Sequence, residues 1–269
     1  MPAIVKFVEL PGPVTLPYVE QGDPSGIPVV LLHGLADSWR SFELVLPHLP
    51  SSIHVFALTQ RGHGDASRPM AGYRTIDFAA DLGAFMDRLH LEAAVIVGGS
   101  SGGLVARQFT MDHPNQVLGL VLLGTPLTLR NKPGIRELWE STISRLTDPV
   151  DPSFVRAFQQ GTLAQPIPPA FLEMLVQESL KLPAQVWVET VAGLLEDNSS
   201  EQLKQIQAPT LIVWGDQDVI VSRSEQETLA AAIAGARLLV YSGAGHAFYW
   251  EEPARVAADL VTFVQAVTN

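Results

Sequence analysis

The chain has 269 residues, 47% of them hydrophobic and 17% charged, with no cysteine and a formal net charge of −11. That charge repels phosphate backbones and anionic membrane surfaces, so neither nucleic acid nor membrane is expected as a partner. Without cysteine, thiolate metal sites, disulfides and cysteine nucleophiles are excluded, and the longest apolar runs are too short to cross a bilayer.

The opening residues carry no signal-peptide pattern, so a cytoplasmic location is expected. The first clear element is Val29-Val30-Leu31-Leu32, apolar throughout and ending at His33-Gly34. Such a run predicts a buried strand feeding a loop. The segments 53–58, 93–97 and 117–123 repeat the pattern. Between them, Thr75 is expected to cap a helix with Phe78, Leu82, Phe85, Met86 and Leu89 on one face. Strands alternating with helices imply βαβ units and a parallel sheet buried on both faces. From about residue 131 to 205 the pattern changes to helices punctuated by proline, expected over 135–146, 153–158, 169–182 and 184–195. Strands then return at 209–214 and 237–241. A last helix opens at Pro253, with Val256, Leu260, Phe263, Val264 and Val267 on one face. The expectation is an α/β domain formed by 1–130 and 206–269, interrupted by a helical insertion over 131–205.

One junction carries chemistry. Gly98-Gly99-Ser100-Ser101-Gly102-Gly103 joins the strand at 93–97 to a helix expected from Leu104 onward. A serine on so sharp a turn exposes its hydroxyl, and the next N–H points from a helix N-terminus toward developing negative charge. Gly98 and Gly102, two positions either side, fit a crowded, strained turn. By itself the run also reads as a glycine-rich loop that binds phosphate or turns the chain. A serine nucleophile needs a base, and of seven histidines His246 follows the last strand on a glycine-bearing loop. Asp216 and Asp218 both follow the strand at 209–214 and are candidates for the acid that orients it.

His33-Gly34-Leu35, Arg61-Gly62-His63-Gly64, the Ser100 turn, Trp214-Gly215-Asp216-Gln217-Asp218 and Gly245-His246 occur in this order. In that series the chain resembles the α/β-hydrolase family, in its branch of small esterases, lactonases, haloperoxidases and carbon–carbon bond hydrolases. The resemblance covers about 29–123 and 209–269; the insertion resembles a cap by position only. It implies an α/β-hydrolase fold, a mostly parallel sheet flanked by helices with a helical cap. It also implies a Ser100–Asp218–His246 triad, since the family pattern W-G-x-x-D selects Asp218 and leaves Asp216 to shape the turn. The oxyanion hole would be the backbone N–H groups of Ser101 and, by the resemblance, Leu35, with His33 supporting the loop. Gln60 departs from the acid common before Arg-Gly-x-Gly in the family, and is expected to alter loop hydrogen bonding rather than reaction class.

The reaction implied is hydrolysis of a small or medium, mainly apolar ester or lactone through an acyl-enzyme, with no metal or cofactor. Trp139, Phe158, Phe171, Trp187 and Phe248 are candidates to line an apolar pocket. The partner is a small-molecule substrate, with a homodimer not excluded. Two other classes use the same fold: a non-hydrolytic lyase or cofactor-free oxygenase, and a hydrolase-derived ligand receptor.

Overall fold

The computed structural model describes residues 3–130 and 132–268. Eight strands form one sheet: β1 (Val5–Glu9), β2 (Thr15–Gln21), β3 (Ile27–Leu32), β4 (Ile53–Leu58), β5 (Ala94–Gly99), β6 (Val117–Leu123), β7 (Thr210–Gly215) and β8 (Arg237–Tyr241), in the spatial order β1-β2-β4-β3-β5-β6-β7-β8. β1 and β2 pair antiparallel, as do β2 and β4; every other pair is parallel.

Period-two geometry divides the apolar runs between two layers. In β5, Ala94 and Ile96 face one core and Val95 and Val97 the other. The first layer packs on α1 (Thr75–Arg88) and α2 (Ser101–Asp112), the second on α9 (Pro253–Thr268). Phe78, Leu82, Phe85 and Met86 of α1 are buried, and so are Val256, Leu260, Phe263 and Val264 of α9. Thr75, expected as a cap, lies inside the first turn instead. Arg74 occupies the cap position, and its N–H donates to the Asp77 carboxylate at 3.0 Å.

Between β6 and β7 the described residues hold no strand, but four helices: α3 (Pro133–Ser141), α4 (Pro152–Gln160), α5 (Pro169–Leu180) and α6 (Ala184–Glu196). The continuous helix expected over 135–146 breaks at Thr142, whose φ of −133° and ψ of −66° lie outside the helical region. Two further helices, α7 (Arg223–Ala232) and the one-turn α8 (Phe248–Glu251), complete the chain.

The topology positions the site. After β3 the chain crosses to β4 on one side, then returns to β5 on the other. At such a switch point the loops leaving adjacent strands diverge and open a crevice at the carboxyl edge of the sheet. The loops that begin at His33 and Ser100 flank this crevice, and the loops after β7 and β8 leave from the same edge.

Candidate active site

Ser100 is the single residue between β5 and α2, a tighter junction than the sequence pattern predicts. Its backbone lies at φ 50°, ψ −120°, a conformation few non-glycine residues adopt. Packing holds it there. A Cβ on Gly98 would collide with the Gly102 carbonyl, and one on Gly102 with the carbonyls of His33 and Leu32. The strand can therefore turn into the helix only where both positions lack a side chain. Ser100 N–H donates to the Leu123 carbonyl at 2.8 Å, which anchors the turn to β6.

Ser100 Oγ donates to His246 Nε2 at 2.9 Å, while His246 Nδ1–H donates to Asp218 Oδ2 at 2.8 Å. The second carboxylate oxygen of Asp218 accepts from the N–H groups of Ile220 at 2.7 Å and Val221 at 2.9 Å. With its side chain fully buried, Asp218 is thus held in one orientation by backbone donors. That carboxylate in turn fixes the imidazole tautomer, leaving Nε2 free to accept the serine proton. Asp216 has a different role: its Oδ1 accepts from Gly243 N–H at 2.7 Å and pins the β7 turn to the β8 loop.

Leu35 and Ser101 line the cavity beside Ser100. Neither of their N–H groups donates to any described residue, so both remain available to an oxygen between them. His33 cannot serve as a base. Its Nδ1–H donates to Gly34 O at 2.7 Å and its Nε2 accepts from Gln60 N–H at 3.0 Å. Burial holds its imidazole well below the usual histidine range. The Gln60 side-chain amide donates to His33 O at 2.8 Å, a bond that an ionised acid at this position could not make.

Above Ser100 the cavity is mostly apolar, walled by Leu129, Ile135, Leu138 and Ile143 on one stretch of chain and by Val191 and Leu194 of α6. Of the aromatic residues expected there, Phe158 lines it and the others do not. Trp187 is fully buried against Phe154 and Phe158, Phe171 packs on Trp250, and Phe248 is enclosed by Tyr241 and Tyr249. Trp139 borders a separate surface hollow with Arg130 and Glu140. Their size makes these rings the glue of the insertion and its seat, while smaller aliphatic side chains are left to face the cavity.

Sequence reasoning missed the polar part of this wall: Asp37, Gln159 of α4, Thr162 and Tyr249. Asp37 is 3% exposed, and burial pushes its carboxyl up to about 6, opposed by a hydrogen bond from Gln159 at 2.9 Å. An acid two residues beyond Leu35, in a segment bound for the interior, was the available signal. No Lys or Arg lines the cavity among the described residues, and none of them form a group of His, Asp and Glu able to hold a metal ion.

Comparison with known proteins identifies the fold family. A family model described as alpha/beta hydrolase fold matches residues 27–253. The 2-hydroxymuconate semialdehyde hydrolase of Pseudomonas sp. (strain CF600) is 29% identical over 259 residues, 89% of this chain and 87% of that protein. An esterase from Exiguobacterium antarcticum superposes with a TM-score of 0.88 at 23% identity, covering 97% of this chain and 100% of its own. Est816, described as an N-acyl homoserine lactone degrading enzyme, gives 0.82 at 27% identity over 96% of this chain and 100% of its own.

Proposed function

The chain belongs to the α/β-hydrolase fold family, and from that premise we propose that it is a serine carboxylic-ester hydrolase, an esterase or lactonase, acting on small or medium neutral substrates. The observation that carries the reading is the unbroken hydrogen-bond relay from Ser100 Oγ through His246 to Asp218.

Ser100 Oγ attacks the substrate carbonyl carbon as His246 Nε2 takes its proton. The carbonyl oxygen becomes an oxyanion held by the N–H groups of Leu35 and Ser101, and the Asp218 carboxylate stabilises the imidazolium. His246 returns the proton to the leaving alkoxide, the C–O bond breaks, and an acyl-enzyme remains. Water then attacks with His246 again as base; collapse of the second tetrahedral intermediate releases the acid and reprotonates Ser100. Apart from that water and the substrate, every step runs on protein groups. The helices of 131–205 act as a cap, setting the apolar walls that exclude water and select the substrate.

The cavity bears on substrate class. One relative carries the name 2-hydroxymuconate semialdehyde hydrolase, and the compound in that name bears a carboxylate. Here no Lys or Arg of the described chain lines the cavity and Asp37 does, which supports a neutral ester or lactone over an anionic carbon–carbon cleavage substrate.

Turnover of p-nitrophenyl acetate and butyrate tests the reading. Wild-type protein is expected to hydrolyse at least one of them, and Ser100→Ala to lose about 10⁴-fold or more in kcat while retaining its fold. Equal turnover by the two proteins would sink it.

A further inference from the structure

Acyl transfer as derived above leaves the one carboxyl side chain of the cavity unused. Asp37 stands on the loop after β3, is nearly inaccessible from outside, and lines the same cavity as Ser100. Its Oδ1 accepts from Gln159, whose amide also donates to Ser179 Oγ at 2.7 Å, so that oxygen is committed to the core–insertion contact. Its Oδ2 takes no bond from Gln159, and the one further protein donor facing the carboxyl is the buried Ser41 hydroxyl, which has no other partner among the described residues.

The second oxygen is also close to the nucleophile. A methyl group placed on Gly34 would be 3.3 Å from Ser100 Cβ and 3.4 Å from Asp37 Oδ2. The serine side chain and this carboxylate oxygen are therefore no more than about 7 Å apart beside Gly34, and both residues line the cavity. During catalysis the acyl part of the substrate is bonded to Ser100 Oγ, so it is the part held nearest this oxygen. A hydroxyl a few bonds along that acyl chain is a donor placed to reach it.

We propose that Asp37 is a specificity-determining residue, its Oδ2 accepting a hydrogen bond from a hydroxyl on the acyl chain of a neutral ester or lactone. The proposal rests on the serine-hydrolase reading for the orientation of the substrate. A site built to accept a donor discriminates strongly against an analogue without one, because the buried carboxylate is then left one donor short. The mostly apolar walls sharpen the contrast. Without Asp37 a hydroxyl entering them would lose its water for nothing, and a methyl group would be preferred. The charge of Asp37 also sets the site against an acyl chain that ends in a carboxylate.

Phenyl 3-hydroxybutanoate and phenyl 3-methylbutanoate differ only in a hydroxyl replacing a methyl group. Their affinities for Ser100→Ala protein, measured by calorimetry, test the proposal without turnover. The hydroxy ester is expected to bind about tenfold or more tightly, and in Ser100→Ala/Asp37→Leu the order is expected to reverse. Equal affinities, tighter binding of the methyl ester to Ser100→Ala, binding of neither, or a preference that survives Asp37→Leu overturns it. If the double variant fails to fold, the comparison within Ser100→Ala still decides. Failure of the hydrolase reading would show separately, as wild-type protein inert toward both esters while the binding preference persists.

Discussion

Asp37, His33 and His63 are ionisable groups held out of water, and each leaves a mark on stability. Burial lowers His63 to about 4 and His33 well below the ordinary value, while it raises Asp37 to about 6. A histidine whose folded pKa is depressed contributes stability that is present above its unfolded value of ~6.5 and lost as pH falls through the folded one. Asp37 acts oppositely. Its raised value favours the protonated folded state, so its contribution falls as pH rises from ~3.9 through 6. At pH 5 unfolding therefore takes up a proton at each histidine and releases one at Asp37. Asp37→Asn removes the release, and its unfolding at pH 5 is expected to take up about one proton more than wild type. Calorimetric unfolding in buffers of different ionisation enthalpy measures this directly; an unchanged proton count would mean that Asp37 is already ionised in the folded protein.

Elements converge on the Ser100 turn with no room to spare. Gly102 packs against the backbone carbonyls of His33 and Leu32, which cannot move without disturbing β3. Gly102→Ala is expected to destabilise the protein by about 2–3 kcal/mol, read as a lower denaturation midpoint; a neutral effect would contradict the close approach of α2 to β3. The insertion has its own anchor. Arg107 of α2, fully buried, donates to Asp197 at 3.0 Å, to Ser199 Oγ at 2.7 Å and to the Leu127 carbonyl at 2.9 Å, joining both ends of the helical segment to the core. Asp197→Ala strands the guanidinium and is expected to cost about 3–5 kcal/mol, whereas Arg107→Met combined with Asp197→Leu recovers most of that. Chemical denaturation of the two variants tests the difference.

At the scale of the whole molecule, legibility in the sequence followed burial and periodicity. β3, β4, β6 and β7 are continuous apolar runs, because a central parallel strand is covered on both faces, and α1 and α9 show helical stripes for the corresponding reason on one face. β1 and β2 gave no such signal: at one end of the sheet, β1 leaves most of its residues exposed. The three residues joined by the hydrogen-bond relay were readable because Ser100, Asp218 and His246 each follow a strand and carry glycine-rich or acidic punctuation. The cavity wall was not, since aromatic size says nothing about direction. Trp187 and Phe171 spend their area on packing, and it is aliphatic side chains such as Leu138 and Leu194 that face the nucleophile. The charge of the molecule makes a further demand. With a net charge of −11 and no Lys or Arg of the described residues in the cavity wall, a p-nitrophenyl ester bearing a terminal carboxylate is expected to show kcat/KM at least about tenfold below its neutral isostere, with the gap narrowing as salt rises. Equal efficiencies at low salt would contradict this.

The central claim, that Ser100 is a nucleophile activated by His246, is tested most directly by covalent capture. Folded protein treated with a fluorophosphonate and analysed by intact mass and peptide mapping is expected to gain one phosphonyl group, on the peptide containing Ser100. The same treatment of Ser100→Ala or of denatured wild type is expected to add none. An unmodified Ser100 in folded, wild-type protein, or equal labelling of Ser101 in the Ser100→Ala variant, would contradict the account.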